Sequence, residues 1–243
     1  MRSVTETTRV VFIVCKNGNG AFIEESVNFS WFMGMNWQMR QKSSISLHEN
    51  ILKTHPNSKI LEVSTKSEDF TLGKSLSAFN LKKDGVPIEN IFQSSKVFND
   101  GGPYLDLLTV NPASAKKDPR LSTARNIRTL ISFEYNGNKY PTEPKSFFYD
   151  YIYISALSCN KELSEKVSNY DIFTDIEFNQ KIPYSDMKGP FNCQARSCAI
   201  FVWLQQNNLL DDYLNDPTSL IDRIYPHSKS PACQTSLFLD FDE

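Results

Sequence analysis

The sequence predicts a single α+β domain, mainly helical, with a small β-sheet. Three observations lead there. Short apolar or alternating runs near residues 10–15, 22–32, 59–64 and 131–135 have the length and composition of strands. Longer windows at 36–54, 86–98, 145–157 and 192–210 are long and apolar enough for core-facing helices. No internal repeat, low-complexity segment or linker interrupts the 243 residues, and a chain of that length can bury one large core.

Val10–Cys15 (V-V-F-I-V-C) is an unbroken apolar run ended by the turn N-G-N-G, the pattern of a buried strand. Phe22–Phe32 returns as a second strand, with Val27, Phe29 and Trp31 on one face. Asn36–Thr54 is the first helix. Trp37, Ser44, Leu47 and Ile51 form its inner stripe, and Pro56 follows its end. Gln38 and Lys42 lie one turn apart on it, and His48, beside Leu47, reads as a packed helix residue. Lys59–Ser64 alternates as a third strand, and residues 65–81 read as a polar loop closed by Ser77, Phe79 and Asn80.

Val86–Phe98 is predicted as one helix. Pro87 suits its first turn, where a missing N–H costs nothing, and Ile88, Ile91, Phe92, Ser95 and Phe98 fall on one side. Glu89, Gln93 and Lys96, at i, i+4 and i+7, make a polar stripe along the edge of that side. A carboxylate, an amide and an amine at the rim of a core suit the wall of a pocket. A half-buried surface helix with an acidic first turn and a basic later turn explains the same pattern, and this segment alone favours that explanation.

After it, N-D-G-G-P-Y turns the chain. Gly101-Gly102 reads as a plain turn ahead of a phosphate cradle. Pro112–Lys117 opens a short helix, and Ile131–Tyr135 is a strand leading into an N-G hairpin turn. Lys145–Leu157 is densely aromatic and reads as a buried helix, although its β-propensity leaves a strand open. Glu162–Tyr170 continues as helix. In F-T-D-I-E-F-N, alternation puts Asp175, Glu177 and Asn179 on one face and Ile176 and Phe178 on the other. Two carboxylates so placed are either solvated on a surface strand or held for use. Asn192–Leu210 reads as a buried helix with Asn192 as N-cap and small residues, Cys193 to Ala199, that admit other backbone closely. From Leu214 onward Pro and Ser punctuate the chain, which closes on a short apolar tail that docks as a last strand or frays.

Composition and missing motifs narrow the function. The net charge of −2 argues against broad non-specific nucleic-acid binding; Lys116–Arg128, with five basic residues and one Asp, is either a local basic patch or a solvated loop. Five cysteines without a C-x-x-C indicate neither zinc nor a disulfide framework, and read as reduced thiols of a cytosolic protein. There is no apolar run of membrane-span length and no signal-peptide core near the start. G-x-x-x-x-G-K-[ST], G-x-G-x-x-G, H-E-x-x-H and G-x-S-x-G are all missing, and the three histidines make no metal case. An enzyme built on this chain would work with carboxylates and lysines, without metal or bound cofactor.

Three segments, in order, carry a family resemblance. L-S-A-F-N, then I-E-N-I-F-Q-S-S-K-V-F, then F-T-D followed by N-C-Q-A-R-S resemble the S-N-F element, the E-H-x-x-Q-x-x-K helix and the late Asp/Asn-led helix of the NADAR family. Longer features, among them S-W-F-x-G, Q-K-S-S-I-S-L-H, G-G-P-Y-x-D-L, A-K-K-D-P-R-L and F-Y-D-Y-I-Y-I-x-A-L, resemble the branch paired with DarT-type toxins. The resemblance implies one NADAR-like domain over 1–243, with a core of about 25–210 and a C-terminal extension of 211–243. The sequence departs from the pattern at Asn90, where the family has His, at Ser77-Ala78-Phe79-Asn80, and at Phe173-Thr174-Asp175.

The activity so implied is hydrolysis of an N-glycosidic bond at a ribose C1. In the toxin-linked branch that bond joins ADP-ribose to a guanine base in DNA. The partners are then ADP-ribosylated DNA, ADP-ribose as product, and a DarT-type toxin that makes the adduct from NAD. No cofactor and no membrane are implied. Carried over residue by residue, Glu89 is catalytic, Lys96 is either a covalent catalyst or a clamp on a phosphate or ribose oxygen, and Asp175 is a second carboxylate. Ser77, Phe79, Asn80, Gln93 and Asn192 would bind ribose or base, and Lys42, Lys116 and Arg120 a diphosphate or DNA backbone. The rival readings are a YbiA-like N-glycosidase acting on a ribosylamino metabolite of riboflavin synthesis, and a non-catalytic protein that occludes a toxin.

Overall fold

The computed structural model describes residues 4–16, 20–34, 36–122, 128–178 and 192–225. Of these residues about 45% are helical and 22% in strands. The chain begins with a long antiparallel hairpin, β1 (Val4–Val14) and β2 (Phe22–Phe32), in which Val4 lies opposite Phe32 and Val14 opposite Phe22. α1 (Trp37–Thr54) follows; its N-cap Asn36 accepts the Met39 N–H, satisfying one of the orphan donors of the first turn. Next come β3 (Ile60–Glu62), α2 (Phe70–Leu76), the two-residue strands β4 (Lys82–Lys83) and β5 (Val86–Pro87), α3 (Ile88–Ser94), β6 (Lys96–Phe98) and α4 (Pro112–Lys116). The second half supplies β7 (Leu130–Tyr135), β8 (Asn138–Tyr140), α5 (Phe147–Ser158), α6 (Lys161–Val167), β9 (Ile172–Thr174), α7 (Gln194–Gln206), α8 (Leu210–Asn215) and α9 (Ile221–Ile224).

The main sheet has the order β2-β1-β9-β3, with β9 antiparallel to β1 and parallel to β3. Both faces are covered, so β1 reads as an unbroken apolar run rather than an alternation. Val11, Val27, Phe29, Leu47, Ile51, Ile172 and Ile176 close the side under α1. Val10, Phe12 and Val14 belong to the larger core built around α5 and α7. α5 is apolar almost all round, with Phe147, Phe148, Ile152 and Tyr153 fully buried. A helix suits that position because it satisfies its own backbone in a dry interior.

Several expectations are corrected. The strand near 131–135 does not join the main sheet; β7 pairs with β6 and β8 in a separate sheet. Residues 65–81, expected as loop, contain α2, whose N-cap Asp69 accepts from the Leu72 N–H. Trp37 is not inward: it is 41% exposed and its indole N–H donates to the Thr65 carbonyl at 2.7 Å. The single helix expected over Val86–Phe98 is strand, helix and strand. Lys96 pairs with Phe133, and the gain of cross-strand partners for Val97 and Phe98 outweighs continuing the helix past Ser94. Helix α7 has Cys193, not Asn192, as N-cap, and the helical run expected to Leu210 breaks at Gln206 before α8. β9 ends at Thr174, so Asp175 and Glu177 sit on a turn instead of sharing a strand face. Residues 17–19 of the N-G-N-G turn, 123–127 of the basic stretch, Asn179 and the apolar tail lie outside the described residues.

Candidate active site

Glu89 enters the first turn of α3, and its N–H donates to the Ala78 carbonyl at 2.9 Å, which ties the helix start to the Ser77–Leu81 turn. The side chain is 5% exposed. Its Oε1 accepts from Gln93 Nε2 at 2.8 Å, the i, i+4 contact the sequence predicts. Gln93 in turn accepts from Lys96 Nζ at 2.7 Å through its own carbonyl oxygen. The acid, amide and amine therefore form one hydrogen-bonded chain, although Lys96 reaches it from β6 and not from a continuing helix. The Lys96 ammonium also lies 4.7 Å from the centre of the Phe92 ring. Burial pulls its pKa down to about 8; Glu89 opposes that shift and Lys116 adds to it.

The other side of the Ala78 peptide reaches the second carboxylate. Ala78 N–H donates to Gln194 Oε1 at 2.5 Å, and Gln194 Nε2 stands 3.4 Å from Asp175 Oδ2. Asp175 is buried, and burial first, then the nearby Glu177 charge, raise its pKa despite the Gln194 and Glu177 amide contacts. Glu177 itself points outward to Arg40 and Lys66. Of the two candidates on this turn, Asp175 is the one held inside the protein.

Behind Asp175 lies a network that sequence reading missed. Glu62, fully buried, accepts from Ser64 Oγ at 2.5 Å, Thr174 Oγ1 at 2.7 Å and the Ile176 N–H at 3.0 Å. Burial, with Asp175 nearby, raises its pKa. The Thr174 hydroxyl also lies 2.9 Å from His48 Nε2, which ties α1 to this network. Tyr149 is a further missed neighbour. It packs edge-on against Phe92, and burial, then the Glu89 charge, hold its phenol well above the usual range. The signal in the sequence for Glu62 was a charged residue inside an apolar strand; Gln194 carried no such signal.

The remaining expected residues divide. Phe79 is exposed on the Ser77–Leu81 turn, with Lys116 Nζ 5.5 Å from its ring centre, and Lys116 is close enough to act on Lys96. Ser77 caps the end of α2: its hydroxyl donates to the Lys74 carbonyl and accepts from Asn80 Nδ2 at 2.6 Å. Asn192 keeps a buried Oδ1 without a hydrogen-bond partner, one residue before the α7 N-cap. Asn90 spends its amide on the Leu107 and Val110 carbonyls, a structural tie in place of the family's His. Lys42 stands on the exposed side of α1 and is not brought to the others. Arg120 is bound up with Asp106 and Asp118 on the surface. Among the described residues no cluster of three His, Cys, Asp or Glu side chains could hold a metal ion, and no helix is long and apolar enough to cross a membrane.

Fold and site together define an α+β protein in which a buried carboxylate is joined through an amide to a lysine whose pKa burial lowers. The chain belongs to the NADAR-DarT1 family, the DarT1-associated NADAR antitoxins, whose family model matches residues 7–234. Membership supports a DarT-associated antitoxin role, in a family associated with N-glycosidase activity. A comparison with curated proteins finds no match.

Proposed function

We propose that this protein hydrolyses the N-glycosidic bond between ADP-ribose and a guanine base in DNA, and so erases the modification made by a DarT-type toxin. The observation that carries the reading is the hydrogen-bonded Glu89–Gln93–Lys96 chain, whose residues are those of the E-H-x-x-Q-x-x-K pattern that the sequence resembles. Cleaving that bond builds positive charge at C1 and requires a proton on the departing base. A carboxylate fixed by Gln93 is suited to stabilise the charge. Lys96, with a pKa of about 8, has a neutral fraction near physiological pH and can act as nucleophile. In that sequence the amine bonds to C1 as the C1–N bond to guanine breaks, and guanine takes up a proton. The amine proton passes to Glu89, which gives it to the ring oxygen as the C1–O4′ bond breaks and the ribose opens to a protonated imine; water then adds at C1, and ADP-ribose leaves as the lysine is restored. Asp175, whose raised pKa favours the protonated form, is suited to supply the proton to the base.

The test is incubation with an oligonucleotide carrying one ADP-ribosylated guanine. Free ADP-ribose appears with the wild-type protein and is lost with Glu89→Gln. A Glu89→Gln protein that still neutralises the toxin in cells, while binding it stably, would replace this reading with occlusion.

A further inference from the structure

A cleft of about 680 Å³ lies apart from Glu89 and Lys96, which do not line it. It runs between α2, the Asn80–Lys82 segment and the start of α6. A second hollow of about 290 Å³ continues it past Lys59 and shares Asp69, Leu72 and Lys166 with it. Lys74, Lys82, Lys166 and Lys59 line this surface against two acids, each already engaged. Asp69 caps α2, and Glu162 takes the Lys166 ammonium at 2.7 Å. The balance of the cleft is cationic in a protein whose net charge is −2.

Aromatic surface lies along the same track. Phe70 is 44% exposed in the cleft wall, edge-on to the 41% exposed Trp37 at 6.2 Å, and Lys74 Nζ stands 5.8 Å from its ring centre. At the other end Asn80 joins the cleft to the active-site turn, where the exposed Phe79 ring lies beside Lys116. Flat rings interleaved with lysines and side-chain amides match a single-stranded nucleic acid: rings accept unstacked bases and ammonium groups follow phosphates. An enclosed small-molecule pocket would be mostly apolar, and this one is open and polar.

We propose that the α2–α6 cleft binds the single DNA strand on one side of the modified guanine, leading it past Asn80 and Phe79 to Glu89. The proposal rests on the DNA reading for its substrate, but an unmodified strand tests it separately from hydrolysis. Wild-type protein and a Lys74→Glu/Lys82→Glu variant are titrated against a fluorescent, unmodified single-stranded oligonucleotide at several salt concentrations. Both lysines lie on the surface, and a circular-dichroism melt checks that the variant folds. The expected result is at least a tenfold weaker Kd in the variant, with a salt slope shallower by about 1.4, since each of the two lost single-strand phosphate contacts contributes about 0.7. Phe70→Ala is expected to weaken binding several-fold while leaving that slope intact. On modified substrates, kcat/KM for the oligonucleotide should fall at least tenfold further in the variant than kcat/KM for an ADP-ribosylated mononucleotide. Equal strand affinity in wild type and charge-reversed variant overturns the proposal, as do no measurable strand binding by the wild type, a preference for duplex, or a variant defect confined to toxin binding. Strand binding with the expected variant loss but no hydrolysis would support the cleft and reject the hydrolase reading.

Discussion

Lys96 carries the mechanism's most readable signature. Its amine must be neutral to attack C1, and burial brings its pKa to about 8. Below that value the neutral fraction grows about tenfold per pH unit, so under the proposed mechanism kcat is expected to rise with pH up to about 8 and to fall again where Asp175 loses the proton it gives the base. A pH–rate profile checks this, and borohydride added during turnover should trap the lysine as a stable adduct found by mass spectrometry. Lys96→Arg, which stays charged and cannot form an imine, is expected to lose at least about 100-fold in kcat. Both Glu89 and Gln93 were legible because an i, i+4 contact is local. Lys96 met them for a different reason from the one its spacing suggested: the chain leaves the helix and the side chain reaches back from a strand.

The elements that hold the site press closely on one another. Gly102 has φ +107°, and a Cβ there would lie 2.3 Å from the Lys96 carbonyl oxygen. Gly102→Ala is therefore expected to shift the start of β6, lowering the melting temperature and the hydrolytic rate together. A Cβ added to Gly73, within α2, would lie 2.2 Å from the Ser64 carbonyl oxygen. Gly73→Ala should part α2 from the turn after β3 and cost on the order of 2 kcal/mol, more than any helix propensity gained. Chemical denaturation measures both. The strand–helix–strand course of 86–98 was hidden from the sequence because it depends on β7, more than thirty residues away along the chain. The second helix was hidden because it is only seven residues long, with Gly73 at its centre and a polar stretch before it, and packing of Leu72 and Leu76 against the main core selects the helix.

At the scale of the molecule, buried polar groups decide how stability varies with conditions. His48 lies against Thr174, and burial lowers its pKa to about 4. Between about 4 and its unfolded value near 6.5 the unfolded chain binds the extra proton, so stability rises with pH across that window and is lost as pH falls. The expected loss between about pH 7 and pH 5 is about 2 kcal/mol, and urea titrations of wild type and His48→Gln measure the part that belongs to this residue. The second device joins α5, α7 and the end of α9. Asp150 accepts from Arg196 Nε at 3.2 Å, Ser197 Oγ at 2.6 Å and Tyr225 OH at 2.8 Å. Asp150→Ala leaves the Arg196 charge buried without this partner and should cost about 3–5 kcal/mol, read as a lowered denaturation midpoint.

The sequence by itself determined the mixed fold, the buried hairpin strand, the aromatic core helix and the ordered motifs that place the chain among the NADAR antitoxins. These are properties of neighbours a few residues apart, or of the order of segments, and both are written along the chain. Tertiary structure alone decided that Lys96 sits on a strand, that Asp175 is buried while Glu177 faces solvent, and that Gln194 joins Asp175 to the Ala78 peptide. Each of those depends on which distant segments exclude water from the same place, and burial of that kind has no period to read.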